Sequence, residues 1–152
     1  MAIRARQPGD GRRAKPAALL TFHTADYIAA LQRAQEAGEV DPATRERHAL
    51  GTLSNPVFPE MFRRPATGAG GVILAAELLA KGTADAIHVP GGGTHHGLPD
   101  RANGFCYLND PVLGILTLRA AGLRVAYVDM GALNAQYRAF GIVQPGIRLP
   151  AD

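Results

Sequence analysis

The 152-residue sequence has one cysteine, no tryptophan and no uninterrupted run of about 18 apolar residues. A single thiol, Cys106, excludes an internal disulfide and a Cys-x-x-Cys pair for metal or redox chemistry, and it predicts a reducing, cytoplasmic setting. The lack of a long apolar run argues against a membrane span or a secretory signal. What is present, 47% hydrophobic and 19% charged residues, is typical of one folded domain.

The excess of basic charge is confined to the beginning of the chain. Residues 1–16 hold five arginine and lysine side chains against one aspartate, whereas residues 17–152 hold 11 basic and 12 acidic side chains. We therefore expect a basic, disordered leader over residues 1–16. A basic arm that binds nucleic-acid phosphates is the less favoured alternative.

Three segments have the apolar spacing and end signals of helices. Residues 38–67, with four prolines, instead predict a long irregular connection. The predicted helices are Ala25–Ala37 with Thr24 or Thr21 as N-cap and Gly38 as stop, a second that opens at Gly68–Gly71 and runs to about Lys81, and a third from Asn109 or Asp110 to Ala121 with Asn109 as N-cap.

Two short apolar runs predict parallel strands. Ala84–Val89 stops at a proline and three glycines, and Arg124–Met130 carries an acidic residue, Asp129, near its end. With the third helix between them, these strands predict a βαβ unit and hence an α/β fold. Loops that follow the carboxyl ends of such strands commonly form binding pockets.

The strongest functional pattern is the pair His95 and His96, which lies between glycines in residues 91–97. Adjacent side chains of an extended backbone point in opposite directions, so both imidazoles face one site only where the chain bends, and glycines allow that bend. Two histidines can divide proton acceptance from proton donation near neutral pH. A surface turn is the alternative interpretation. Asp129 favours the functional one, because a carboxylate at the same sheet edge can orient an imidazole.

For the three other histidines and the cysteine we predict structural roles. His23, His48 and His88 stand alone in the sequence, and Cys106 between two aromatic residues is expected to be a buried apolar residue. The glycine triplet at residues 91–93 is not a phosphate-binding loop, because no Gly-Lys-Ser/Thr follows it.

Four stretches together resemble one protein family. They are residues 22–28 (FHTADYI), 55–59 (NPVFP), 91–96 (GGGTHH) with 104–110 (GFCYLND), and 124–130 (RVAYVDM). They are similar to the zinc-dependent histone deacetylases and their bacterial relatives, the acetoin utilization proteins and acetylpolyamine amidohydrolases. The resemblance covers about residues 17–130. It implies an α/β fold with the three-layer parallel sheet of the arginase and deacetylase type, incomplete in this chain.

The resemblance also implies roles for individual residues. His95 and His96 match the tandem general acid/base histidines. Asp129 matches the aspartate that orients the first histidine and helps to hold a monovalent cation, K⁺. The resemblance further implies a zinc ion that polarises the substrate amide, and acetylated lysine or an acetylated amine as substrate. The residues that match the substrate channel and its pocket are Gly104, Phe105 and Cys106.

The sequence departs from the family after Met130. The family continues this strand as Asp-x-Asp-x-His-His-Gly-Asp-Gly, whereas residues 129–137 read DMGALNAQY. The two zinc-ligand positions are therefore occupied by Gly131 and Leu133, whose side chains cannot bind Zn²⁺, and the partner of His96 is replaced by Gln136. The resemblance places the third ligand, an aspartate, and the oxyanion tyrosine beyond residue 152. The tail, residues 131–152, has no family resemblance, as expected of a frameshifted or truncated gene.

The sequence thus predicts the amino-terminal part of a histone-deacetylase-type zinc amidohydrolase that is inactive on its own. The alternative from another class is a non-catalytic module that binds acylated lysine or a polyamine, or that pairs with another protein chain.

Overall fold

The computed structural model describes residues 13–129. The predicted leader therefore falls mostly outside the described residues, and so do Gly131, Leu133, Gln136 and the rest of the divergent tail. Ala14 is nonetheless buried, and its amide donates to the Ala66 carbonyl at 2.8 Å. The described range contains five helices: α1 Pro16–Leu19, α2 Ala25–Ala37, α3 Pro42–His48, α4 Arg63–Ala80 and α5 Asp110–Ala120.

Helix α2 has the bounds that its sequence predicts. The Thr24 hydroxyl accepts a hydrogen bond from the Tyr27 amide at 3.4 Å, and Gly38 ends the helix in a left-handed conformation with φ +75°. Its apolar face is buried, with Tyr27 and Leu31 fully enclosed. Because the cap, the apolar spacing and the stop all agree, α2 was predictable from local sequence alone.

The prediction of an irregular connection over residues 38–67 is wrong for two parts of it. Helix α3 occupies Pro42–His48, where Asp41 accepts from the Thr44 amide at 2.9 Å and Pro42 lies in the first turn. Helix α4 begins at Arg63 rather than at Gly68. Pro65 is tolerated there, because the first amides of a helix have no intrahelical acceptor.

The glycines of α4 lie inside the helix because another segment approaches it closely. A Cβ atom at Gly68 would stand 2.5 Å from the Gly91 carbonyl oxygen, and one at Gly71 would stand 3.2 Å from Val89. The pattern that predicted a helix start therefore marks a packing face. Through this face, α4 supports the loop that leads to the histidine pair.

The two predicted strands are not formed within residues 13–129, which contain no β-ladder, so the described part is helical rather than a three-layer sheet. Among the described residues, no segment forms a regular hydrogen-bonded ladder with residues 84–89 or 124–129. An apolar run of this length fits equally well an extended segment that packs on helices. Ile87, Val89 and Tyr127 line a groove of about 370 Å³ between α4 and α5, and Tyr127 stays 43% exposed. The helix predicted between the two runs is confirmed as α5, with Asn109 as its N-cap.

The hydrophobic core joins α1 and α2 to residues 102–113. The Tyr27 hydroxyl donates to the Tyr107 carbonyl at 2.6 Å inside this core. None of the helices within residues 13–129 is long and apolar enough to cross a membrane. The largest fully buried apolar side chains are Leu19, Tyr27, Leu31, Leu50, Met61, Leu108 and Leu113.

Candidate functional site

The loop that carries the histidine pair is tied to the start of α5 by a buried carboxylate. Asp110 is 1% exposed, and its Oδ2 accepts from the Gly93 amide at 2.7 Å. Its Oδ1 accepts from the Thr94 amide, also at 2.7 Å, and from the Thr94 hydroxyl. Gly93 has φ +101°, a conformation that residues with a side chain rarely adopt. The incoming side of the loop is thus fixed at two consecutive amides.

Asn109 fixes the outgoing side of the same loop. Its Nδ2 donates to the carbonyls of His95 at 2.9 Å and of Gly97 at 3.0 Å, while its Oδ1 accepts from the Val112 amide at 3.2 Å. One side chain therefore caps α5 and holds the backbone around the histidine pair. The sequence predicts that Asn109 caps α5, but it does not predict that Asn109 also holds the carbonyls of His95 and Gly97.

His23 supports Asn109 from behind. Its Nδ1 donates to the Leu98 carbonyl at 3.1 Å and lies 3.3 Å from the Pro99 carbonyl, and its Nε2 accepts from the Asn109 amide at 3.1 Å. Burial lowers the pKa of His23, against the opposing effect of the two carbonyls. His23 is therefore neutral with its proton on Nδ1, and its role is structural, as predicted.

His48 likewise joins distant segments of the chain. It is 3% exposed, and its Nδ1 donates to the Asp100 carbonyl at 2.6 Å. Its Nε2 lies 3.5 Å from the carboxylate of Asp26, which also pairs with Arg47 at 2.8 Å. The third histidine predicted as structural, His88, is exposed.

The three residues predicted to form the catalytic centre lie together. The rings of His95 and His96 have centroids 4.0 Å apart at an interplanar angle of 52°. Asp129 Oδ2 lies 3.2 Å from His95 Nε2, and it also accepts from the Tyr127 hydroxyl at 3.3 Å. The other ring nitrogen of His95, Nδ1, donates to the Gly93 carbonyl at 3.1 Å. Both nitrogens of His95 thus face acceptors within the chain.

The predicted channel residues form a tight turn beside this pair. Asn103 and Cys106 exchange both backbone hydrogen bonds, at 3.0 and 2.8 Å, and Gly104 and Phe105 between them have φ +52° and +66°. This is the geometry of a type I′ turn. A Cβ atom at Gly104 would stand 2.8 Å from the His96 ring, so the turn packs directly on the pair.

Phe105 is exposed at the tip of this turn, with 74% of its surface accessible. A positive φ is unfavourable for a bulky residue and is found most often where function requires it. Cys106 is half-buried rather than fully buried as its aromatic neighbours suggested. Next to it, burial raises the pKa of Tyr107 to about 12, so this hydroxyl remains protonated and serves as a donor, to the Pro56 carbonyl.

The described residues do not provide a zinc site. Residues 13–129 contain no group of three or more histidine, cysteine, aspartate or glutamate side chains arranged to hold a metal ion. The two ligand positions implied by the resemblance, Gly131 and Leu133, lie outside the described residues, and neither side chain has a donor atom for zinc. The residues present therefore do not fit the metal.

Comparison with known proteins assigns this arrangement to a family. The family model for the histone deacetylase domain matches residues 3–132. The chain belongs to the histone deacetylase family. Family members are zinc-dependent deacetylases that act on acetylated substrates.

The relatives of this histone deacetylase family chain are much longer than the region matched. Histone deacetylase 8 of Xenopus tropicalis is 42% identical over 113 residues, which are 74% of this chain and 30% of the relative. The acetoin utilization protein AcuC of Bacillus subtilis is 38% identical over 117 residues, which are 75% of this chain and 30% of the relative. The chain thus spans about a third of the length of these relatives.

Solved structures show the same partial correspondence. A histone deacetylase homologue from Aquifex aeolicus has a TM-score of 0.68 and 40% identity, covering 73% of this chain and 29% of the homologue. A histone deacetylase homologue in complex with SAHA has a TM-score of 0.70 and 37% identity, covering 83% of this chain and 35% of the homologue. The helical part described here therefore corresponds to part of the arginase and deacetylase fold.

Proposed function

We propose that this chain carries the acid/base histidine pair and the channel wall of an amidohydrolase site that removes acetyl groups from acetyl-lysine or acetylated amines. The observation that supports this most directly is the contact between the His95 and His96 rings, 4.0 Å apart, with Asp129 on His95. In this proposal one imidazole accepts a proton from the attacking water, and the other donates a proton to the departing amine. Asp129 orients His95 through its contact with Nε2.

The neighbouring turn supports a channel role for Gly104, Phe105 and Cys106. Gly104 packs on His96, and Phe105, whose side chain is exposed, is the next residue in the chain. An aromatic ring held in this way can cover the apolar methylene stem of a lysine or alkylamine. The turn therefore places an apolar wall beside the groups that would transfer protons.

We further propose that the 152-residue chain alone does not hydrolyse acetyl-lysine. Neither Gly131 nor Leu133 offers a ligand atom for zinc, and the described residues lack a metal-binding cluster. No step through zinc is assigned to these residues. The cation implied at Asp129, K⁺, stays a prediction.

A chimera tests the proposed site. Residues 13–129 would replace the matching part of Bacillus subtilis AcuC, and hydrolysis of an acetyl-lysine peptide would be followed with zinc present. We expect activity in the chimera, none in the 152-residue chain, and a loss of at least about a hundredfold in kcat for His95→Ala and His96→Ala. His88→Ala, at an exposed histidine, serves as control.

Two results would contradict the proposal. One is a folded chimera whose rate is unaffected by either histidine substitution. The other is zinc-dependent hydrolysis by the unaltered 152-residue chain.

One observation favours a second candidate, a non-catalytic module that binds an acylated lysine or a polyamine. Both ring nitrogens of His95 are engaged by Gly93 and Asp129, so His95 can accept a proton from water only after one contact opens. A module would bind an acetyl-lysine peptide without hydrolysing it. Calorimetric titration of the chain with acetylated and unmodified peptide tests this, with Phe105→Ala expected to weaken binding and Leu53→Ala, at a side chain 99% exposed, as the matched control.

A further inference from the structure

We propose that Asp110 is a positioning residue that sets the tautomer of His95 through the peptide groups of Gly93. The importance of that tautomer for catalysis rests on the proposed function. The structural link itself rests on two consecutive contacts, from Asp110 to the Gly93 amide and from the Gly93 carbonyl to His95.

The first contact fixes the Gly93 amide. An ionised carboxylate only accepts hydrogen bonds, and both oxygens of Asp110 are occupied by donors from Gly93 and Thr94. The side chain is 1% exposed, so water does not compete for these bonds. Asp110 also lies in the first turn of α5, where a negative charge is stabilised by the helix dipole. The carboxylate is thus a fixed anchor rather than a surface group.

The second contact transfers this constraint to the imidazole. Gly93 holds φ +101° while its amide is bound to Asp110, and its carbonyl accepts from His95 Nδ1 at 3.1 Å. A carbonyl oxygen cannot donate, so the hydrogen of this bond belongs to Nδ1. The proton position on an imidazole is set by the hydrogen bond made by its other nitrogen. Asp110 therefore holds the backbone acceptor that keeps a proton on Nδ1.

The other ring nitrogen of His95 faces a second aspartate. His95 Nε2 lies 3.2 Å from Asp129, on the opposite side of the ring from Gly93. The two aspartates thus have separate tasks, because Asp110 acts on Nδ1 through the Gly93 backbone and Asp129 contacts Nε2 directly.

Nitrogen-15 spectroscopy of the full chain, labelled at histidine, tests the proposal without zinc or substrate. We expect His95 to show a protonated Nδ1 and the Gly93 amide to exchange slowly with solvent. Asp110→Ala should replace the fixed Nδ1 proton of His95 with a mixture of both tautomers. His23 reports on the fold in the same spectrum, because its Nδ1 proton and unprotonated Nε2 depend on Asn109 and Leu98 instead.

Two further variants separate this path from general loss of structure. Asp41→Ala removes a carboxylate that binds the amide and hydroxyl of Thr44 in the same way but far along the chain, so it should leave His95 unchanged. Thr94→Val removes only the hydroxyl bond to Asp110 and should also preserve the Nδ1 proton.

The proposal is overturned by an unprotonated Nδ1 in the wild-type chain, by a rapidly exchanging Gly93 amide, by a wild-type His95 spectrum in Asp110→Ala, or by a Thr94→Val change as large as that of Asp110→Ala. If Asp110→Ala also alters the His23 signals, the proposal is judged instead by the exchange rate of the Gly93 amide in the wild-type chain and by the His95 signals of Thr94→Val. An inactive chimera with a protonated Nδ1 refutes the proposed function alone. An active chimera with an unprotonated Nδ1 refutes only the role of Asp110.

Discussion

The exchange of one atom at position 109 tests how strongly the loop of the histidine pair is held. Asn109→Asp keeps the size of the side chain and keeps an oxygen able to cap α5. It replaces the Nδ2 group, which donates to the His95 and Gly97 carbonyls at 2.9 and 3.0 Å, with a second oxygen. Two hydrogen bonds thus become two repulsive contacts between a carboxylate oxygen and a carbonyl oxygen.

The expected cost follows from these bonds. Each lost hydrogen bond contributes about 1 kcal/mol to stability, and a buried carbonyl left without a donor costs about 1–3 kcal/mol. The gain from a charged cap at a helix N-terminus offsets only about 0.3–1 kcal/mol. Because Asn109 is 6% exposed, solvent screens the new repulsion poorly. We therefore expect Asn109→Asp to lower the free energy of unfolding by about 2–4 kcal/mol.

Urea unfolding of the full chain, followed by far-UV circular dichroism, measures this change as a lower midpoint at unchanged slope. The matched control is the reverse exchange at an exposed N-cap, Asp41→Asn, which should leave the midpoint nearly unchanged. At acidic pH the difference between Asn109→Asp and wild type should narrow, because a protonated carboxyl can donate to one of the carbonyls. Equal midpoints for Asn109→Asp and wild type at neutral pH would refute the reasoning.

Three further predictions use the same unfolding assay. Tyr27→Phe removes a buried hydroxyl that donates at 2.6 Å and should cost about 1–2 kcal/mol, whereas Tyr127→Phe, at an exposed hydroxyl, should change little; equal effects would contradict this. Burial lowers the pKa of His23 from 6.5, so the unfolded chain binds a proton at His23 more readily than the folded chain does. The free energy of unfolding should therefore fall as pH drops below about 6.5, and His23→Gln should reduce this pH dependence. If the pH dependence of His23→Gln equals that of the wild type, His23 is not its source. Gly104→Ala adds a Cβ atom 2.8 Å from the ring of His96, so it should destabilise by at least about 1 kcal/mol more than Gly38→Ala, where φ is also positive but the added Cβ meets open space; equal losses would show that the histidine ring moves aside at no cost.

The helices show what local sequence can predict in this chain. Helices α2 and α5 were predicted because each has a side-chain cap and is followed by a glycine with positive φ, Gly38 and Gly122. Helix α3 has an equally clear signal in Asp41 and Pro42, but the surrounding prolines obscured it. The start of α4 was misplaced because its glycines serve close packing against Gly91, which only the folded chain reveals.

The predicted strands failed for a different reason. An apolar run specifies burial, while a strand also requires a hydrogen-bonded neighbour, and local sequence does not specify that neighbour. His95, His96 and Asp129 nevertheless lie together without the sheet edge from which their proximity was predicted, and their catalytic roles stay a prediction. The roles of Asn109, Asp110 and His23 were missed, because each depends on a partner between 12 and 86 residues away.

The longest of these separations determine when the support behind the histidine pair can form during folding. His23 reaches Asn109 across 86 residues, Tyr27 reaches Tyr107 across 80, and His48 reaches Asp100 across 52. Contacts between distant positions slow folding, because a long loop must close before they form. On the ribosome, α2 is synthesised early but cannot complete these contacts until residue 109 has emerged. The backbone of the histidine loop contacts Asn109 and Asp110 across only 12 to 17 residues, whereas the support that His23 gives to Asn109 forms only after residue 109 has emerged.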